Sequence, residues 1–105
     1  MTSLGVDIHK TAIVGPNVDI GAGSIVGAYV VLGLAPREKK DGELPLVIGP
    51  GSVIRAFTTI YAGTTIGARL QTGQGASIRE DNVIGDDVSV GTHASLEFGN
   101  RIGSR

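Results

Sequence analysis

Few side chains in this sequence can do chemistry. Two histidines, His9 and His93, are the candidate general bases, because imidazole is the side chain that ordinarily changes charge near neutral pH. His93 stands in Gly91-Thr92-His93-Ala94, next to a hydroxyl, and could take a proton from an attacking amine or alcohol. The alternative is that it is an ordinary surface histidine. His9, in Asp7-Ile8-His9-Lys10-Thr11, reads as structural or incidental. There are no cysteines, which excludes disulfides, thiolate metal sites and cysteine nucleophiles. No metal site is predicted, since two histidines fall short of a three-histidine zinc centre unless other subunits or other ligands contribute. Gly73-Gln74-Gly75 is not a phosphate loop, because no strand-to-helix turn follows it. The acidic pairs Glu80-Asp81 and Asp86-Asp87 read as solvated turn residues.

The elements that must hold these groups show in the spacing of the aliphatics. From Ile8 in steps of six come Val14, Ile20, Val26 and Leu32. The count restarts at Ile48 and runs through Ile54, Ile60, Ile66, Thr72, Ile78, Ile84, Val90, Leu96 and Ile102. Only Thr72 of these fifteen is not aliphatic, and ten of them are followed directly by glycine. Neither the 3.6-residue period of a helix nor the two-residue period of a simple strand produces a six-residue repeat. A fixed repeat of this kind marks a β-solenoid, in which short strands wind around a core. At 105 residues the chain is one domain, 1–105, with a small core.

The bulk properties exclude other classes. A net charge of −1 and the lack of a basic or aromatic-rich patch argue against a nucleic-acid partner. No apolar run has the length of a signal sequence or a membrane span, so no membrane partner is predicted and the cytoplasm is the default location.

The pattern of aliphatic, Gly, two variable residues and a small residue, carried from Ile8 to Ile102, resembles the hexapeptide-repeat acyltransferases. The opening Asp7-Ile8-His9-Lys10-Thr11-Ala12-Ile13-Val14-Gly15 looks like the first coil of many members. The stretch from Ile60 to Glu80 is similar to a branch that includes sugar N-acyltransferases. The resemblance implies an all-β, left-handed parallel β-helix of about five coils. It also implies a homotrimer with active sites between neighbouring helices, an acyl-CoA such as acetyl-CoA as co-substrate, and a histidine base. Where a histidine is expected after Thr72-Gly73, this chain has Gln74.

In that family three hexads make one turn, so residues eighteen apart stack. This places Phe57, Gly75 and His93 in one column beside Ala56, Gln74 and Thr92. The expected roles follow: His93 as catalytic base, with Gly73, Gln74, Gly75, Ala76 and Gly91 lining a donor groove. Tyr61, Arg79 and Glu97 form another column, with Arg79 able to stack on the ring and pair with the carboxylate. That column is a solvated face, or else a subunit interface or the polar wall of a groove that binds the acceptor.

Leu32 and Ile48 are sixteen residues apart, one hexad plus ten extra residues. The charged, proline-bracketed interruption predicts a loop insertion over 33–47, either a tolerated surface excursion or a flap over a ligand site. The chain ends in mid-pattern at Arg105, which predicts a fragment or a short relative of a longer protein. The function expected is acyl transfer to a sugar-type amine or hydroxyl. The alternative is a non-catalytic trimerising scaffold, or an inactive fragment of such an enzyme.

Overall fold

Each hexad supplies one short strand and one tight turn, and three hexads complete a coil. A computed structural model describes residues 5–104. The first face stacks β1 (Asp7–Ile8), β4 (Ile25–Val26), β7 (Val53–Ile54), β10 (Gln71–Thr72) and β13 (Ser89–Val90). The second stacks β2 (Ile13–Val14), β5 (Val31–Leu34), β8 (Thr59–Tyr61), β11 (Ser77–Ile78) and β14 (Ser95–Leu96). The third stacks β3 (Val18–Ile20), β6 (Leu46–Ile48), β9 (Thr65–Ile66), β12 (Val83–Ile84) and β15 (Arg101–Ile102). All pairings are parallel, and the chain is a left-handed parallel β-helix of about five coils, as the repeat predicts. No helix among the described residues is long and apolar enough to cross a membrane.

Register confirms the eighteen-residue stacking: Ile66, Ile84 and Ile102 pair in succession, as do Ile60, Ile78 and Leu96. Across the insertion the offset grows to twenty-eight, pairing Leu32 with Ile60 and Val26 with Ile54. A two-residue strand turns one side chain out and one in. In β12, for example, Val83 is exposed and Ile84 is buried. The hexad aliphatics from Ile20 to Val90 are buried, while Ile8, Val14, Leu96 and Ile102 are partly buried at the two ends.

Thr72 breaks the aliphatic rule because it is an internal acceptor. It is fully buried, and its hydroxyl meets the Thr58 hydroxyl at 3.1 Å and accepts the Arg55 N–H at 3.0 Å. The Arg55 N–H has thus left the position where neighbouring coils bond backbone carbonyls, as Gly27 N–H bonds Ile54 C=O. The Arg55 guanidinium covers the Thr72 carbonyl instead, at 3.0 Å.

The excursion is narrower than 33–47. Gly33 and Leu34 continue β5, bulging so that Leu34 pairs with Tyr61, and Leu46 and Val47 already belong to β6. Both ends are captured because the parallel ladder satisfies backbone groups that a loop would leave to water. The remaining loop, 35–45, is pinned rather than loose. Pro36 is buried, the Lys39 N–H bonds Pro36 C=O, and the Glu43 N–H bonds Lys40 C=O. The Asn17 side chain reaches Gly42 C=O, and Gly63 N–H bonds Pro45 C=O.

Candidate functional site

His93 occupies the turn between the first and second faces. The stacked residues here are Tyr29, Phe57, Gly75 and His93, and all four have left-handed backbone, with φ of 56°, 67°, 71° and 58°. For bulky residues that conformation costs about 1–2 kcal/mol each, so Gly75 is the relaxed member of the column. Tyr29 and Phe57 recover part of this by stacking, with ring centroids 5.4 Å apart and planes at 11°. The His93 ring lies over Gly75: a Cβ on Gly75 would sit 2.6 Å from the imidazole Nδ1. His93 is exposed, and its imidazole makes no hydrogen bond to another described residue. The expected column therefore forms, with its imidazole available and unoriented.

The donor-groove residues separate. Gln74 and Gly91 are exposed at the turn, and a Cβ on Gly91 would meet nothing within 4 Å. Gly73 is explained by coil packing, since a side chain there would collide with Thr92 of the next coil. The Ala76 side chain is 1% exposed inside the core and lines no groove, leaving only its backbone at the turn. It faces inward because a small residue fits where the turn bends over the core.

This turn carries free backbone donors, as other turns do at Ala22, Glu80 and Phe98, whose N–H groups also bond to no other described residue. On successive coils the N–H groups of Gln74 and Thr92 bond to no other described residue. At the turn between the third and first faces, the corresponding Ala68 N–H is held by Asp86 Oδ1 at 2.8 Å, and the Asp86 N–H by Ser104 Oγ at 3.0 Å. That turn is closed further by Arg69 and Asp87, whose bidentate contacts are 2.6 and 3.0 Å. The hydrogen bond that Arg69 donates to Asp87 raises the guanidinium above its ordinary value, so this pair stays charged.

The column of Tyr61, Arg79 and Glu97 forms only in part. Arg79 lies over the Tyr61 ring, 4.6 Å from its centroid. Its charge partner, however, is Glu80, with Nε to Oε1 at 3.1 Å, and not Glu97. Glu97 instead accepts a hydrogen bond from the Ser95 hydroxyl at 3.1 Å. The reason is local: Glu80 is the sequence neighbour of Arg79, whereas Glu97 lies on the end coil, exposed to water.

Two cavities lie elsewhere, both against the loop. The larger, about 350 Å³, is lined by Pro36, Arg37, Lys39 and Leu44 of the loop and by Gly63, Glu80 and Asp81 of the facing turns. The smaller, about 140 Å³, is an apolar crevice around Ile13, Val31 and Leu34 with Asp41 at one side. Neither includes His93 or any expected donor-groove residue. The ten extra residues between Leu32 and Ile48 were the signal for the larger cavity, but its coil wall at Gly63 and Glu80-Asp81 had none. Among the described residues, no group of three or more His, Asp or Glu is placed to hold a metal ion.

No family model and no curated protein matches this chain. Among solved structures it is similar to the acetyltransferase domain of PglB from Neisseria gonorrhoeae FA1090 in complex with acetyl coenzyme A, with 21% identity and a TM-score of 0.35. The match covers 97% of this chain and 53% of that one, so this chain spans about half its length. At that score the likeness carries no argument of its own, and the fold rests on the sheet register described above.

Proposed function

We propose that this chain is an acyltransferase that moves an acyl group, acetyl in the simplest case, from coenzyme A to an amine or hydroxyl of a sugar-type acceptor. The observation that carries the reading is the turn of Gly73-Gln74-Gly75 stacked on Gly91-Thr92-His93. There an imidazole and two backbone N–H groups that bond to no other described residue lie on adjacent coils, roughly 4.8 Å apart by parallel spacing. The sequence resemblance to hexapeptide-repeat acyltransferases supports it. The donor supplies an activated thioester carbonyl. His93 takes the proton of the attacking group as its N or O bonds to the carbonyl carbon, and the N–H groups of Gln74 and Thr92 stabilise charge on the carbonyl oxygen. The C–S bond then breaks and the coenzyme A thiolate leaves, taking the proton back from His93. Open backbone at Gly91 leaves room for a pantetheine arm. In this reading the assembly is a homotrimer and the reaction is cytoplasmic, where acyl-CoA is made.

A second reading is favoured by the unoriented imidazole: bases are normally held by a third group, and His93 has none among the described residues. On that reading the chain is a trimerising scaffold. Calorimetry with acetyl-CoA and transfer to a panel of amino sugars separate the two. His93→Ala should lower turnover by roughly 10²–10⁴ while leaving acetyl-CoA binding nearly unchanged. Undiminished transfer in that variant removes His93 from the mechanism, and no acetyl-CoA binding at millimolar concentration leaves the scaffold.

A further inference from the structure

The cavity beneath the loop lies beyond the proposed transfer site and has a charge arrangement of its own. Two of its four charged lining residues have partners of opposite charge: Lys39 has Glu43 at 3.6 Å, both side chains 45% exposed, and Glu80 has Arg79 at 3.1 Å. Arg37 makes no hydrogen bond or ion pair with another described residue. Among the described residues the Asp81 carboxylate pairs with Arg101 at 3.8 Å, the same guanidinium donating to the Asp81 carbonyl at 3.2 Å; both side chains are more than 60% exposed, so the ion pair is weak. The cavity therefore holds one unanswered cation on the loop wall and one weakly answered carboxylate on the coil wall. Pro36, Leu44 and the bare backbone of Gly63 complete the lining.

The geometry points to a binding site for a small zwitterion. Its carboxylate or phosphate would be taken by Arg37, its protonated amine by Asp81, and its short apolar body would lie on Leu44 and Pro36. A ligand of single charge gains at one wall and is repelled at the other. The planar guanidinium fork suits either anionic group. The volume of about 350 Å³ falls within the range of small-ligand sites. The site is also preformed, because the loop is fixed by its own turns, by Asn17 and by the Gly63 N–H to Pro45. Gly63 keeps the space open: its φ is 91°, and a Cβ there would meet Leu44 Cδ1 at 3.2 Å.

The test is a titration of the whole chain followed through its amide resonances, with 4-aminobutyrate and O-phosphoethanolamine as zwitterions and butyrate and butylamine as single-ended controls. Saturable shifts at Gly63, Asp81 and the loop amides are expected, with dissociation constants on the order of 1–10 mM for ligands of this size. Arg37→Ala and Asp81→Asn should each weaken binding about tenfold. Asn tolerates the left-handed backbone at position 81, where φ is 59°, so that variant keeps the turn. The tighter of the two zwitterions identifies the anionic group as carboxylate or phosphate. The proposal is overturned if neither zwitterion saturates, if butyrate or butylamine binds as tightly, or if both variants bind like the parent. The readout does not involve acyl transfer, so it stands or falls separately from His93.

Discussion

Replacing Thr72 by valine sets the repeat against the structure. By the hexad rule, valine restores an aliphatic at the one position that lacks it and should stabilise the chain by about 0.8 kcal/mol for the added buried methyl. The structure predicts the opposite. Thr72 Oγ1 accepts the Arg55 N–H at 3.0 Å and is 3.1 Å from the Thr58 hydroxyl, at a fully buried position. Valine removes that acceptor. A buried donor left unmade costs about 1–3 kcal/mol. The Thr58 hydroxyl keeps the Gly73 carbonyl at 3.2 Å, so the loss falls mainly on Arg55. The net expectation is destabilisation by about 1 kcal/mol, or a melting temperature lower by about 4–8 °C in a domain of this size. Thermal unfolding followed by circular dichroism, at one fixed protein concentration, reads this directly. Thr72→Ser keeps the oxygen but loses a buried methyl worth about 0.8 kcal/mol, so it should fall by a similar amount while leaving the Arg55 N–H bonded. A valine variant that melts at or above the parent would refute the reasoning, because the Arg55 N–H would then have found the carbonyl that neighbouring coils use.

Ile84→Asp should abolish folding, since an unpaired carboxylate in the dry core costs several kcal/mol out of the roughly 5–15 that holds a domain; Lys39→Ala, at an exposed loop pair, should shift the urea midpoint little. The Glu43 carboxyl is held below its ordinary value, first by the Lys40 N–H and then by Lys39. A depressed carboxylate contributes stability that is fully present above its unfolded value and lost as pH falls through its folded value. The protection of the Lys40 amide, measured against its intrinsic exchange rate at each pH, should therefore be full at neutral pH and fall below the ordinary glutamate range, and Glu43→Gln should remove that dependence. Light scattering after size exclusion should return three copies, and a stable monomer at micromolar concentration would count against the proposed assembly.

The core was legible because it is redundant. Each hexad states again which residue points inward, so Ile66, Ile84 and Ile102 fall into register from spacing alone. The corners were less legible, because side-chain partners there are chosen locally. Arg79 chose its neighbour Glu80 over Glu97, one coil away, and Ala76 went into the core although its position in the turn suggested a groove. Counting by eighteen also fails across the insertion. Tyr29 stacks on Phe57 at an offset of twenty-eight, a relation visible only once the ten extra residues are known to be a loop.

The departures from the repeat fall at two corners, with Tyr61, Arg79 and Glu97 at one and a second group at the other. Arg55 replaces a glycine that usually follows the hexad aliphatic, Thr72 replaces the aliphatic itself, and Gln74 and His93 follow on the same corner. The first two are bonded to each other, and that contact draws a backbone N–H out of the ladder beside the turn that carries Gln74. A solenoid gains most stability from uniform coils, so a polar substitution in the core makes sense where it shapes something outside it. Here Thr72 fixes Arg55, and with it the edge of the corner where His93 lies over Gly75. If Thr72→Val lowers stability and also moves the amide resonances of Gln74 and His93, the buried hydroxyl is part of how that corner is built. If those resonances stay in place, Thr72 serves the core alone, and the corner owes its form to its glycines.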